Sequence, residues 1–110
     1  MQLTFIYAPV EDLAAAVAFY RDLLGFSEAW REGDTTVAFT IPGTEVQLMV
    51  SVDDAPGGPM YLVDDVAGHL AANPDLPVTM GPVEIPDGAI ASMQDPGGNT
   101  IYLLDQSRAA

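Results

Sequence analysis

The chain has no cysteine, no lysine and a single histidine among its 110 residues. Each absence removes a class of chemistry. Without thiols there are no disulfides, no thiolate nucleophile and no cysteine-bound zinc. Without lysine there is no Schiff-base nucleophile, and no serine is flanked as a nucleophile elbow. Arg21, Arg31 and Arg108 are the only fixed cations against 16 acids, a formal net charge of −13. Such a surface repels polyanions, so nucleic acid is excluded as a partner and anionic membranes are disfavoured. No apolar run approaches the roughly 20 residues that span a bilayer. The opening "MQLTFIYAPVEDL" lacks the basic flank and cleavage site of a signal peptide. These features give the expectation of a soluble, cytoplasmic protein. The acids either draw in a cationic ligand or only keep the protein soluble.

What is present is enough for one domain with its own core, since 49% of residues are hydrophobic. Alternation in "QLTFIYA" predicts a strand over 2–8. "VEDLAAAVAFYRDLLGF" predicts a helix with Asp12 as N-cap and Leu13, Val17, Tyr20 and Leu24 on one face. Gly25 is its stop signal. Strands follow near "FSEAWRE", "TTVAFTI" and "EVQLMVS", separated by turns at Gly33-Asp34 and Pro42-Gly43. "DDAPGGP", residues 53–59, has no periodicity and reads as a linker. The order then starts again: a strand at "MYLVDDV", a short helix in "DDVAGHLAANP" stopped by Pro74, and strands at "LPVTMG", "AIASMQD" and "TIYLLDQ". Asp65 lies 53 residues after Asp12, and Tyr102 lies 55 after Gln47. Strand, helix and three strands thus occur twice, as modules 1–52 and 60–110 of one domain.

Alternation also sorts the sheet faces. Val46, Leu48 and Val50 oppose Glu45, Gln47 and Met49. Ile101 and Leu103 oppose Thr100, Tyr102 and Leu104, and Phe5 and Tyr7 oppose Thr4 and Ile6. The face rich in Ile, Leu and Val suits packing under helices. The other mixes aromatics with Gln and Thr, which fits either a partly wet ligand pocket or a second packed face at a dimer contact.

The repeat, "FYRDLLGF" (Phe19–Phe26) and "DPGGNTIYLL" (Asp95–Leu104) together resemble the vicinal oxygen chelate superfamily, the glyoxalase, bleomycin-resistance and dioxygenase group. The resemblance covers nearly the whole chain. It implies an α+β fold in which two βαβββ modules form a cup-shaped mixed sheet, and a homodimer. Metal-using members of the family take ligands from the first, fourth, fifth and eighth strands. Those places fall here on Phe5, Gln47, Gly58 (or Met60, by a shift of register) and Tyr102. Only Gln47 offers a good donor atom, and one neutral oxygen does not hold a divalent ion. One histidine also rules out a two-histidine facial triad within the chain. The expectation is a protein without metal or other cofactor.

Metal-free catalysis then needs a general base on the mixed face. Glu45 and Glu32 are the candidates, with Glu28 a further one, all three placed by alternation beside Gln47 or Trp30. His69, four residues after Asp65 on the second helix, reads as a solvated surface residue. Binding without chemistry would use Phe5, Tyr7, Trp30, Gln47, Met49, Met60 and Tyr102 to hold a small organic molecule, cationic or aromatic, by stacking and cation–π contacts. The bleomycin-resistance branch of the family, acidic and metal-free, is the model for that reading. A metal-independent lyase, isomerase or epimerase is the alternative, and an interaction protein gripping a partner is a third.

Overall fold

The structure, a computed structural model, describes residues 1–108. They contain β1 (Gln2–Val10), α1 (Leu13–Val17) with a π-helical continuation over Ala18–Leu23, β2 (Ser27–Glu32), β3 (Thr36–Thr40) and β4 (Gln47–Val52). Then come β5 (Gly58–Leu62), α2 (Val66–Ala72), β6 (Val78–Ile85), β7 (Gly88–Gln94) and β8 (Thr100–Asp105). Packing divides the chain into two compact units, Thr4–Gly57 and Gly58 onward, with Met1–Leu3 counted in the second.

Each unit repeats one plan. In the first the strands lie in the order β2-β3-β4-β1, and in the second β6-β7-β8-β5. The first and last strands of each unit, β1 with β4 and β5 with β8, run parallel, and the other pairs are antiparallel. A parallel pair needs a long crossover, here the helix and the intervening hairpin.

In the first unit Asp12 is extended (φ −126°, ψ 106°) and its carboxylate accepts the Ala15 N–H at 3.1 Å, so it caps α1 as its position predicts. The helix then widens. Leu24 N–H bonds to Phe19 C=O at 3.0 Å and Phe26 N–H to Tyr20 C=O at 2.9 Å before Gly25 turns the chain at φ 79°. The wider turn carries one residue more than α-helical spacing allows for. Tyr20 still faces the core, but Leu24, expected on the same stripe, is half exposed. Ala16, Val17, Val37, Phe39, Leu48 and Val50 form the core between α1 and one sheet face, with Ile6, Ala8, Leu13 and Tyr20 around it. Tyr20 lies 5.6 Å from the Phe39 ring and 5.9 Å from that of Phe26. Burying each such aromatic or branched side chain is worth about 1.5–3 kcal/mol.

In the second unit Val63, Val66, Ala91, Met93 and Leu103 form the corresponding core under α2. Here the expected symmetry breaks. Asp65 occupies the N-cap position, but its side chain makes no capping bond. The Val66 N–H instead donates to Asp105 Oδ2 at 2.7 Å, from the end of β8. Asp105 Oδ1 accepts from Ala89 N–H (3.1 Å), Ser107 N–H (3.2 Å) and the Ser107 hydroxyl (2.8 Å). The residue is 1% exposed. Burial alone would raise its pKa, but these donors outweigh it, led by the Val66 amide, and hold the carboxyl below its usual range.

Two boundaries differ from expectation. β5 opens at Gly58, inside the stretch 53–59 read as linker. A Cβ at Gly58 would run into the Thr100 carbonyl oxygen, so this glycine serves close approach to β8 and not chain freedom. β6 continues to Ile85, past "LPVTMG" and through Pro82, which falls in the break of register between Met80 and Val83, where its missing N–H costs no ladder bond.

Candidate functional site

The core of the first unit uses one sheet face, and the other face carries the candidate site. Cross-strand register assembles it. Phe5 is level with Gln47 and Tyr7 with Met49 on β1 and β4, Met49 with Ala38 and Gln47 with Thr40 on β3, and Ala38 with Trp30 on β2. Residues opposite one another across strands share a face. Five of the predicted residues, Phe5, Tyr7, Trp30, Gln47 and Met49, are therefore brought together, and Thr36, Ala38, Thr40 and Ser51 join them. The remaining two, Met60 and Tyr102, are buried and level with each other on β5 and β8 of the second unit.

Trp30 is the centre of the arrangement. Its ring stands edge-on to Phe5, with centroids 6.1 Å apart and planes at 90°, the geometry that sets a positive ring edge against a negative face. Its indole Nε1–H donates to Gln47 Oε1 at 2.8 Å. Ala38, the cross-strand neighbour of Trp30, is fully buried. Phe5 and Tyr7 are buried, while Trp30, Gln47 and Met49 are half-buried. Thr36 and Ser51 pair their hydroxyls at 2.8 Å. Asp53 is held below its usual pKa by the Ala55 amide first and by the neighbouring Tyr7 hydroxyl.

The carboxylate candidates do not assemble here. Glu28 was expected on the face of Trp30, but a register shift between Glu28 and Trp30 sets it level with Phe39, on the helix side. There it pairs with Arg31 at 2.9 Å and lies 4.0 Å from Arg21, and the Arg31 guanidinium lowers its pKa. Glu45 was expected at the start of the fourth strand. The strand begins at Gln47, and Glu45 is exposed in the turn where Ile41 N–H bonds Val46 C=O. Glu32, level with Thr36, does share the face of Trp30, but it is exposed at the end of β2.

His69 is half-buried. It lines a cleft of about 450 Å³ with Met1, Gln2, Leu62, Val63, Asp64, Asp65 and Gly68, in the second unit. A second cleft of about 340 Å³ lies on the helix side of the first unit, lined by Leu13, Ala14, Val17, Ala18, Arg21, Asp22 and Arg31. Neither includes Trp30 or Gln47.

The register also resolves the fifth-strand position. Phe5 is level with Gln47, and Met60 with Tyr102, each pair on the first and last strands of its unit. Met60, not Gly58, is thus the counterpart of Phe5. On the resemblance, the four positions expected to carry metal ligands would then be Phe5, Gln47, Met60 and Tyr102. Their one good donor, Gln47 Oε1, is already taken by the Trp30 N–H. Among the described residues no three His, Cys, Asp or Glu groups come together as a metal would need. This donor set does not fit a divalent metal.

Two βαβββ units, each with its helix on one sheet face and a mixed face opposite, define an α+β protein of the glyoxalase/bleomycin resistance fold. The model of the Glyoxalase/Bleomycin resistance protein/Dioxygenase superfamily matches residues 2–103, and the chain belongs to that superfamily. Among solved structures it resembles a NAD-dependent benzaldehyde dehydrogenase from Legionella pneumophila, with TM-score 0.75 and 14% identity over 93% of this chain and 97% of the other. A superfamily member from Vibrio splendidus gives TM-score 0.67 and 17% identity, over 92% and 94% of the two chains. A methylmalonyl-CoA epimerase from Mycobacterium tuberculosis gives TM-score 0.61 and 20% identity, over 94% and 87%. At such identities the likeness is one of fold. No curated protein matches the chain.

Proposed function

We propose that the protein is a cytoplasmic, metal-independent binder of a small organic molecule, held on the Phe5–Trp30–Gln47 face of the first unit. The observation that carries the reading is the Trp30–Gln47 hydrogen bond set against Phe5. It supplies two aromatic surfaces and one oriented amide, a combination suited to holding a ring and one polar group. General-base catalysis is less well supported, because Glu28 faces the helix side, Glu45 lies in a turn, and Glu32 is exposed. No helix among the described residues is long and apolar enough to cross a membrane.

A thermal-shift screen tests the reading. Aromatic metabolites, cationic glycopeptide antibiotics and thiol–aldehyde adducts are each tried with and without divalent metal. A ligand at about 100 times its dissociation constant adds about 2.7 kcal/mol, a shift of several degrees for a chain of this size. Stabilisation by an organic molecule, unchanged by metal, is the expected result. Stabilisation by metal alone contradicts it.

The reading includes a homodimer. Val78, Met80 and Val83 on the edge strand β6, and Phe19 and Leu23 after α1, are exposed apolar side chains that a second copy would cover. Sedimentation of the protein at twice the chain mass is expected, and a monomer at micromolar concentration counts against it.

A further inference from the structure

A glutamine amide has an acceptor oxygen and two N–H donors, and nothing in the amide itself decides which of them meets a ligand. In this protein a neighbour decides. The indole Nε1–H of Trp30 is a donor only, and it stands 2.8 Å from Gln47 Oε1. Turning the amide over would set N–H against N–H on a half-buried face, leaving both donors without an acceptor. Trp30 is itself held by its place across from Ala38 and by the edge-on contact with Phe5 at 6.1 Å. The carboxylates on this side lie away from Gln47: Glu32 is at the exposed end of β2, and Asp53, beside Tyr7, follows the far end of β4.

We infer that Trp30 fixes the hydrogen-bond sense of this face, so that Gln47 turns its NH2 group to the ligand. The molecule it accepts is an aromatic one carrying a neutral hydrogen-bond acceptor, such as a carbonyl or ether oxygen or a ring nitrogen, and not an ammonium. This rests on the binding reading above and adds the ligand's polarity and the residue that sets it. An ammonium can rest on the ring faces, but at Gln47 it would meet N–H donors where it needs an acceptor. The net charge of −13 enriches cations near the whole surface, but it does not supply a partner at this point.

The test uses two probes that share one phenyl ring, acetophenone as acceptor and benzylammonium as donor. They are titrated into 15N-labelled protein at neutral pH and physiological salt. Resonances of the Trp30 indole N–H and the Gln47 side-chain NH2 are followed, the latter assigned by its loss in Gln47→Leu. In the native protein acetophenone shifts the Gln47 NH2 pair and binds about tenfold tighter than benzylammonium, the discrimination that one mispaired polar group commonly imposes. In Gln47→Glu one carboxylate oxygen keeps the indole bond and the other faces the ligand, so the preference reverses. In Trp30→Phe the amide is free to turn, and the preference falls to within about twofold.

The surface charge far from the site is common to all these proteins, so the change in preference reports the site. Equal binding of both probes to the native protein, or no reversal in Gln47→Glu, overturns the inference and leaves the binding reading standing. If neither probe moves any resonance of Phe5, Trp30 or Gln47 in any variant, the binding reading falls and the inference with it.

Discussion

Replacing Asp105 tests how the second unit is held together. The native carboxylate accepts four hydrogen bonds, from the amides of Val66, Ala89 and Ser107 and from the Ser107 hydroxyl. Val66 is fully buried and Ala89 half-buried, whereas Ser107 is exposed and can turn to water. Asp105→Ala therefore strands two sheltered donors. A buried donor left unsatisfied costs about 1–3 kcal/mol, and the lost bonds to a charge sit at the upper end of that scale. The total comes to about 3–5 kcal/mol, a large part of the stability of a domain this size. Asp105→Asn keeps one oxygen but turns an NH2 toward donors, and costs about half as much.

The pH dependence follows from the depressed pKa of Asp105. Its stabilising effect is fully present above the carboxyl's unfolded value and is lost as pH falls through the lower folded value. Urea unfolding of native protein and Asp105→Asn, followed by circular dichroism from neutral pH downward, should show a gap that closes below the ordinary carboxylate range. A gap that persists unchanged at the acid end, or an Asp105→Ala variant within about 0.5 kcal/mol of native, refutes this account of the second helix.

Further outcomes follow from the same structure. Asp12→Ala removes the acceptor for the Ala15 amide and should cost about 1 kcal/mol in thermal or urea unfolding. Gly58→Ala places a methyl group against the Thr100 carbonyl oxygen and should destabilise by about 1–3 kcal/mol, with amide exchange quickened in β5 and β8. Gly88→Ala would press on both the carboxylate and the backbone carbonyl of Asp105, so only the side-chain part of its cost should vanish when it is combined with Asp105→Ala, as a double-mutant cycle reads it. Gln47→Leu removes the acceptor of the indole N–H and should lower stability by about 1–2 kcal/mol, with an altered emission spectrum from the chain's one tryptophan.

Much of this was legible in the sequence because period-2 alternation is a geometric consequence of extended chain. Phe5, Tyr7, Gln47 and Met49 fall on one face for that reason alone, and the helix cap at Asp12 is a local matter of one side chain and the turn it precedes. The misses are where a single residue is added to a regular element or where the partner comes from far along the chain. The shift of register before Trp30 sends Glu28 to the other face, and the widened turn after Val17 carries Leu24 off its stripe. Alternation and helical spacing both assume that neither insertion occurs.

Asp105 shows the non-local case. Asp65 stands where a cap belongs, yet the carboxylate that takes the Val66 amide is 39 residues beyond Val66. A signal for it was present, since Asp105 continues the parity of Ile101 and Leu103 and so points at the helix side, where a lone acid needs donors. The Trp30–Gln47 bond likewise joins residues 17 apart, and it runs diagonally across three strands, since the register sets Trp30 level with Ala38 and Met49, one same-face step from Gln47. Gln47 could be read as a weak metal donor until that partner was placed.

The central claim is that a small molecule binds against Trp30 without metal. Trp30 is the chain's single tryptophan, so its fluorescence reports this face without a label. The most direct measurement is a fluorescence titration with whichever organic molecule stabilises the protein, repeated in chelator and in excess divalent metal. The account predicts a saturable change in Trp30 emission with one dissociation constant under all three conditions, lost in Gln47→Leu. A stabilising ligand that leaves the emission unchanged, or one whose binding vanishes in chelator, would contradict it.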